Sequence, residues 1–186
     1  MKHVSESGSA EGVVRGGRRR RKVSIGLAVA AVATMGTFAA SPASAEENFY
    51  SQLTILSSGY SLDVQGDSRA IGAPIDVWYE NSGGNQQWLF PATDGQVGEI
   101  SSEDSQMCIT TDGVAGDALY QFPCVGAATQ QWQVSRTTTW WSDGGPIFTF
   151  ENPATGLVMD VYGDSYSPGA EVDAWYPNGN ANQSWA

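Results

Sequence analysis

The sequence predicts an all-β fold built from three similar units, and three observations support this prediction. Three segments end in Gln-x-Trp, at Trp88, Trp132 and Trp185. Short runs rich in Val, Ile, Thr and aromatic residues alternate with Gly, Asp, Asn, Ser and Pro, which is typical of strands and turns. No stretch keeps a 3.6-residue apolar period long enough for a helix. We therefore expect a closed antiparallel structure, because a three-bladed propeller would have fewer blades than propellers typically use.

Each unit is expected to contain four strands, which gives twelve in all. In the first unit the strands are expected at "QLTIL" (residues 52–56), "YSLDV" (60–64) and "PIDVWY" (74–79), with a fourth that begins at "QQWLF" (86–90). The three units cover about residues 48–91, 92–135 and 146–186. We call them the first, second and third copies.

The first and third copies align without a gap, Leu62–Trp88 over Met159–Trp185. The second copy keeps the Gln-x-Trp ending but has Thr110, Phe122 and Thr129 where the other two have Asp, Trp and Asn. Its central loop is also shorter. We interpret the second copy as one retained for folding.

The first 45 residues have the layout of a secretory signal peptide that is cleaved after Ala45. A basic run, Arg15 to Lys22, precedes an apolar, Ala-rich stretch that ends in "SPASA". A membrane anchor is the competing interpretation, but Ser, Thr and Gly dilute the apolar stretch. The sequence predicts a secreted domain over residues 46–186, with no membrane association after cleavage, and leaves the export route open.

Residues 46–186 are strongly acidic. They contain two arginines, no lysine, no histidine and eighteen acidic residues, which gives a net charge of 2 − 18 = −16. Such a surface repels phosphate backbones, so nucleic acid is a poor candidate partner. Without histidine, the Ser-His-Asp, Cys-His and His-containing zinc arrangements are excluded, and three copies leave no room for a separate catalytic domain. We expect no enzyme activity, cofactor or metal; a pair of carboxylates acting on a glycoside is the remaining catalytic alternative.

Two cysteines, Cys108 and Cys124, lie in the second copy. Disulfides persist in exported proteins, so we expect these residues to be bridged rather than free. In the chain-entropy model, closing a loop of this length stabilises the fold by roughly 3 kcal/mol.

These motifs together resemble the ricin-B-type lectin family. The resemblance is carried by the threefold Gln-x-Trp endings, the Leu62-Asp63-Val64 and Met159-Asp160-Val161 motifs and the cysteine pair, and it covers residues 48–186. It implies a β-trefoil of three four-stranded subdomains with pseudo-threefold symmetry. It also implies glycans or polysaccharide as partners.

The resemblance implies one sugar site in the first copy and one in the third. In ricin-type sites an Asp begins the contact, an aromatic residue stacks on the sugar, and an Asn-Gln pair completes it. A further contact position, often Gln in galactose binders of the family, is occupied here by an acid, so the preferred sugar stays open. The matching residues are Asp63, Asp76, Trp78, Asn85 and Gln86 in the first copy, and Asp160, Asp173, Trp175, Asn182 and Gln183 in the third.

Structural roles compete with several of these assignments. The three Gln-x-Trp tryptophans are expected in the core, and the glutamines before them are expected mainly to satisfy strand backbone groups. Asp63 and Asp160 could bond nearby backbone N–H groups. The loops that follow them carry enough oxygen atoms to make calcium binding a further alternative. Tyr79 and Tyr176 either flank the ligand or cover strand edges. The alternative function is a secreted trefoil that binds or inhibits a protein through its loops.

Overall fold

The computed structural model describes residues 50–137 and 145–186. The predicted signal peptide lies outside the described residues. Within them, no helix has the length and apolar character needed to cross a membrane. The strands are β1 (Ser61–Val64), β2 (Ile75–Trp78), β3 (Trp88–Leu89), β4 (Val97–Gly98), β5 (Ser101–Ser102), β6 (Met107–Thr110), β7 (Tyr120–Pro123), β8 (Trp132–Thr137), β9 (Ile147–Asn152), β10 (Leu157–Val161) and β11 (Ala170–Trp175).

Short 3₁₀ turns connect the strands. Three of them immediately precede the Gln-x-Trp tryptophans, and two follow the Asp-Val ends of β1 and β10. Their bounds are Gln65–Asp67, Gly84–Gln86, Ala128–Gln130, Tyr162–Asp164 and Ala181–Gln183.

The strands form two curled antiparallel sheets. One has the order β1-β2-β11-β10-β9-β8-β4, and the other has the order β3-β5-β6-β7. Strand β2 of the first copy pairs with β11 of the third, so the copies share a continuous sheet. This arrangement is the predicted three-unit antiparallel structure.

The twelve expected strand positions are occupied, with three departures from regular pairing. The strand expected at residues 52–56 and the last strand of the third copy appear as isolated bridges, including Ile55 with Trp185 and Phe148 with Trp185. The first strand of the second copy is split into β4 and β5. It is split because β4 pairs with β8 whereas β5 pairs with β3 and β6, so the chain crosses from one sheet to the other between them.

Hydrogen bonds made by the last strand position, with β9 on one side and the first strand position on the other, close the structure. Trp185 N donates to Phe148 O over 2.9 Å, and Phe148 N donates to Trp185 O over 2.7 Å. On the other side, Ala186 N donates to Thr54 O over 2.8 Å. The last residues therefore pair with both the first and the third copies.

The three repeated tryptophans form the centre of the core, as the sequence predicts. Trp88, Trp132 and Trp185 are all fully buried. Trp88 Nε1 donates to Leu62 O over 3.0 Å, and Trp132 Nε1 donates to Ile109 O over 3.1 Å. The Nε1 of Trp185 has no hydrogen-bond partner among the described residues. Burying these large apolar side chains supplies much of the driving force for folding.

The expected disulfide is present between Cys108 and Cys124, whose Cα atoms are 5.1 Å apart. It links the start of β6 to the residue that follows β7. Since β6 and β7 already pair, the bridge fastens the open end of this hairpin.

Candidate functional site

The first and third copies each form an open cleft at the same place in the repeat. The first-copy cleft has a volume of about 420 Å³, and the third-copy cleft has a volume of about 380 Å³. Each is lined by carboxyl groups, amides, at least one glycine in a turn, and one tryptophan. The lining residues are Asp63, Gln65, Gly66, Asp67, Asp76, Trp78, Asn81, Asn85 and Gly169 in the first, and Asp160, Tyr162, Gly163, Asp164, Asp173, Trp175, Asn178, Asn180 and Asn182 in the third.

A pair of opposed carboxylates lies in each cleft. Asp63 of β1 is directly opposite Asp76 of β2, and Asp160 of β10 is directly opposite Asp173 of β11. Directly opposed residues of antiparallel strands project from the same face of the sheet, so the two carboxyl groups of each pair are neighbours. At most 3% of the surface of any of these four residues is exposed.

The two amides before the core tryptophan hold the first carboxylate of each pair. Asn85 Nδ2 and Gln86 Nε2 both donate to Asp63 Oδ1, over 2.7 and 2.8 Å. In the third copy, Asn182 Nδ2 donates to both oxygens of Asp160, over 3.0 and 2.9 Å. Gln183 Nε2 donates to Asp160 Oδ2 over 2.7 Å. These aspartates therefore accept side-chain hydrogen bonds rather than bonding the backbone of their own turns.

The glutamines are positioning residues. Gln86 Nε2 also donates to Tyr79 O over 2.9 Å, while its Oε1 accepts from Asn81 N over 2.9 Å. The same contacts recur at Gln183, and the two side chains are 0% and 2% exposed. Both hydrogens of each amide are used within the protein, and neither glutamine lines a cleft. These contacts confirm the expectation that the glutamines satisfy backbone groups, while direct contact of the glutamines with a ligand stays a prediction.

One tryptophan forms a wall of each cleft. Trp78 is 43% exposed and Trp175 is 41% exposed, which separates them from the fully buried core tryptophans. A Cβ atom added at Gly169 would lie 3.3 Å from Cζ3 of Trp78, and one added at Gly116 would lie 3.3 Å from Cζ3 of Trp175. Each indole therefore packs on the backbone of a glycine from a neighbouring copy.

These glycines are required by their backbone conformation as well. Gly169 and Gly116 have φ values of +81° and +89°, a region that residues with a Cβ rarely adopt. Gly169 N donates to Val77 O over 2.7 Å, and Gly116 N donates to Ala174 O over 2.9 Å. In each case the acceptor is the carbonyl oxygen of the residue just before the cleft tryptophan, so the glycine turn fixes the strand that carries the ring.

Burial keeps the carboxyl pairs protonated to higher pH than usual. Desolvation raises the pKa of Asp63 to about 7. The hydrogen bond from Gln86 opposes this rise, and the neighbouring Asp76 adds to it. The pKa of Asp76 is also raised by burial. In the third copy, burial raises the pKa of Asp160 to about 6 and that of Asp173 to about 7. Each pair of like charges thus retains a proton into the neutral range.

The second copy lacks this chemistry although its backbone is equivalent. Thr110 and Tyr120 are opposed where the other copies have two acids, and Phe122 occupies the tryptophan position. Gln130 Nε2 donates to Thr110 Oγ1 over 3.1 Å and to Pro123 O over 3.0 Å, which repeats the glutamine bracing without a carboxylate. The bracing is thus common to all three copies, whereas the carboxyl pair is confined to two.

Other residues line the clefts that the sequence prediction did not include. Asn81 and Asn178, and Asp67 and Asp164, are identical in the aligned copies, so the alignment carried a signal for them. Gln65 and Tyr162 differ between the copies, so the alignment carried none. Gln65 Nε2 donates to Asp76 Oδ2 over 3.3 Å, whereas the third cleft has the exposed ring of Tyr162 at this position.

The two tyrosines that follow the cleft tryptophans are exposed and do not line the clefts. Tyr79 packs edge-to-face with Trp78, with ring centroids 5.8 Å apart, and Tyr176 packs likewise with Trp175 at 5.7 Å. Tyr79 also contacts Tyr60 edge-to-face. These edge-to-face contacts support the tryptophan rings.

Comparison with known proteins identifies the family. The model of the ricin-type β-trefoil lectin domain matches residues 49–185. The chain belongs to this family. Members of the family bind carbohydrate, and solved lectins share the fold of this ricin-type domain.

Among solved structures, a designed threefold-symmetric protein, ThreeFoil, is 26% identical with a TM-score of 0.63, covering 74% of this chain and 95% of that protein. The C-half of an earthworm R-type lectin, solved in complex with GalNAc, is 22% identical with a TM-score of 0.58, covering 75% and 96%. An exo-β-1,3-galactanase from Clostridium thermocellum is 26% identical with a TM-score of 0.64, covering 76% of this chain but 30% of that enzyme. A search of curated proteins finds no significant match.

Proposed function

We propose that this ricin-type domain is a secreted lectin with two sugar sites, one in the first-copy cleft and one in the third-copy cleft. The observation that carries the proposal is that the same group of side chains is built twice. In each cleft an exposed indole lies beside a buried carboxyl pair and an asparagine amide. The second copy, which keeps the fold, lacks both acids and the tryptophan.

These groups match the chemistry of a pyranose. A sugar ring has a patch of C–H groups, which an indole face can cover, and a rim of hydroxyls with fixed directions. An ionised carboxylate accepts hydrogen bonds, and an asparagine amide both donates and accepts. In the first cleft, Asp63 Oδ1 accepts from the two amides, while Oδ2 accepts no hydrogen bond from an N–H or hydroxyl group within the described residues. We assign that oxygen to a sugar hydroxyl.

Two sites on one rigid domain favour a polymeric ligand. A single shallow sugar site typically binds near the millimolar range, about −4 kcal/mol. When both sites engage one polysaccharide, the second contact benefits from a high effective concentration. This is the advantage we assign to keeping two equivalent clefts.

Binding to a glycan array and to immobilised polysaccharide tests the proposal, with protein that starts at residue 46. Trp78→Ala and Trp175→Ala should each lower the apparent affinity for polymer by about tenfold or more, because avidity is lost. The double variant should abolish binding. Phe122→Ala is the matched control, because Phe122 has the same place in the second copy and is 39% exposed; it should bind like the unchanged protein.

Two results would contradict the proposal in different ways. If the double tryptophan variant binds the same glycan as the unchanged protein, the clefts are not the sugar sites. If no glycan binds, a protein-binding role through the loops becomes the better explanation. Export is tested separately, since the secreted protein should begin at Glu46 when its N-terminus is sequenced.

A further inference from the structure

The composition of the two clefts points to the charge of the sugar. Three carboxyl groups line each cleft: the opposed pair and the aspartate of the following 3₁₀ turn, Asp67 or Asp164. No lysine, arginine or histidine is among the lining residues of either cleft. Of the two arginines in the domain, Arg69 is paired with Asp104 outside the cleft.

The second carboxylate of each pair has a buried oxygen without a partner. Asp76 Oδ1 and Asp173 Oδ1 accept no hydrogen bond from a group outside their pair within the described residues, although Asp76 is 3% exposed and Asp173 is 1% exposed. The proton that each pair retains is shared between its two carboxyl groups. When a pair loses this proton, a buried carboxylate oxygen is left without a partner, which is costly. Both residues line the clefts, but these oxygens have almost no exposed surface, so a ligand donor reaches them through a rotation of the carboxyl group.

A neutral hydroxyl and a metal ion fit this arrangement less well than an ammonium group. A neutral hydroxyl leaves the pair dependent on its retained proton, whereas an ammonium brings up to three donors and a positive charge that can replace that proton. A metal ion needs further ligands nearby. Within the described residues, the group of three acidic or cysteine side chains close enough to share an ion is Glu99 with the disulfide cysteines, and it does not include the cleft aspartates.

We propose that the two clefts select sugars that carry a free, protonated amino group, such as hexosamine units of a polysaccharide, over their neutral N-acetylated forms. The proposal rests on the proposed lectin function and names its substrate class. The ammonium would lie between the opposed carboxylates, and the indole of the same cleft would cover the sugar ring. An ammonium close to an indole face also gains from the ring's negative electrostatic potential.

Ligand binding should then release protons. The groups that face the first pair are Asp67 in the turn, Gln65, the two amides of residues 85 and 86, and Glu171, which is opposite Asp76 on β11. A cation placed between the carboxylates favours their charged form and lowers their pKa values. Protons held by the pairs near pH 6 are therefore lost when the ammonium binds, and the affinity for the amino sugar should rise from pH 5 to pH 7.

The experiment compares glucosamine and galactosamine with N-acetylglucosamine and N-acetylgalactosamine, by NMR titration and calorimetry at pH 6. Monosaccharides are used because a cationic polymer would be attracted to any protein with this net charge. In at least one sugar pair, the amino form should bind about tenfold or more tightly than its acetylated form, because an ionic hydrogen bond is lost on acetylation. Calorimetry in buffers of different ionisation enthalpy should detect the released protons.

The variant Asp76→Asn with Asp173→Asn removes one charge from each pair at nearly constant shape. It should reduce the amino preference to about one and abolish proton release. Glu103→Gln removes one exposed charge from the β5–β6 turn and should leave the preference intact. The melting temperature of each variant shows that it is folded, and the pH profile of the unchanged protein provides a test without substitution.

The outcomes separate this inference from the lectin function. Equal binding of amino and acetylated sugars, lost in the Trp78→Ala and Trp175→Ala variants, would overturn the amino preference and leave the two-site lectin standing. An amino preference that Asp76→Asn with Asp173→Asn leaves unchanged would also overturn it. If none of the four sugars binds, the hexosamine assignment is wrong, and the glycan array decides on the lectin function separately.

Discussion

Replacement of Gln86 by methionine tests how the fold supports the cleft. Methionine has a similar length and flexibility but lacks the amide. The substitution removes three hydrogen bonds: those from Nε2 to Asp63 Oδ1 and Tyr79 O, and that from Asn81 N to Oε1. At about 1 kcal/mol for each bond, the free energy of unfolding should fall by about 3 kcal/mol. For a domain of this size that corresponds to a drop in melting temperature of roughly 10 °C.

The matched control is Gln130→Met in the second copy. Gln130 makes the same backbone contacts, from Nε2 to Pro123 O and from Val125 N to Oε1, but it braces a threonine hydroxyl instead of a carboxylate. Both variants should therefore lose stability to a similar extent. Only Gln86→Met should also weaken glycan binding, because it releases the carboxylate of the first cleft.

Urea unfolding followed by tryptophan fluorescence measures the stability, and calorimetry checks the melting temperature. Gln86→Met unfolding within about 0.5 kcal/mol of the unchanged protein would refute the bracing role, since that is the range of ordinary surface substitutions. Equal loss of glycan binding in both variants would refute the separate role of the carboxylate, because general destabilisation would then explain it.

Three further predictions concern the glycine turn, the carboxyl pair and the disulfide. Gly169→Ala and Gly72→Ala both place a Cβ at a φ near +80°, which costs about 1–2 kcal/mol. Only Gly169→Ala should also weaken first-site binding in an NMR titration, because a Cβ at residue 72 has nothing within 4 Å. Equal binding by the two variants would contradict the contact between Gly169 and Trp78. The pKa of Asp76 is raised by burial. The carboxyl pair therefore stabilises the fold at low pH and loses that contribution as the pH rises through about 7, the pKa of Asp63 in the folded protein. Asp76→Asn should reduce the fall in melting temperature between pH 5 and pH 8, and an unchanged pH profile would count against this. Replacing Cys108 and Cys124 together by serine should lower the free energy of unfolding in urea by about 3 kcal/mol. Sugar binding should be unchanged at temperatures where the variant is folded. A loss of binding there would show that the bridge shapes the clefts.

Much of the fold followed from repetition in the sequence. The gapless alignment of the first and third copies predicted equivalent structure, and the strand registers confirm it: Asp63 opposes Asp76 as Asp160 opposes Asp173. The Gln-x-Trp endings predicted the buried tryptophans. The isolated bridges at the first and last strand positions could not be predicted, because each depends on pairing partners from a distant part of the chain.

The candidate sites were only partly predictable. The aspartate pair, the tryptophan and the asparagine of each cleft were found, because the repeat preserves their spacing, whereas the turn residues Gln65 and Asp67 and their third-copy counterparts were not. The supporting glycines were missed as site residues, since Gly169 contacts Trp78 from another copy and Gly116 does the same for Trp175. The hydrogen bond from Gln86 to Asp63 was also not predicted, because the partners of a buried amide depend on how the strands bring side chains together.

The sequence by itself determined the three-unit β architecture, the core tryptophans, and the aspartate pair, tryptophan and asparagine of each cleft, because periodic spacing fixes which side chains share a face. The tertiary structure alone decided that two carboxyl groups are buried side by side without a cationic residue in each cleft and that a glycine of a neighbouring copy supports each exposed indole. The physical reason is that burial and contact between copies depend on the closed arrangement of all three units, which no single copy encodes.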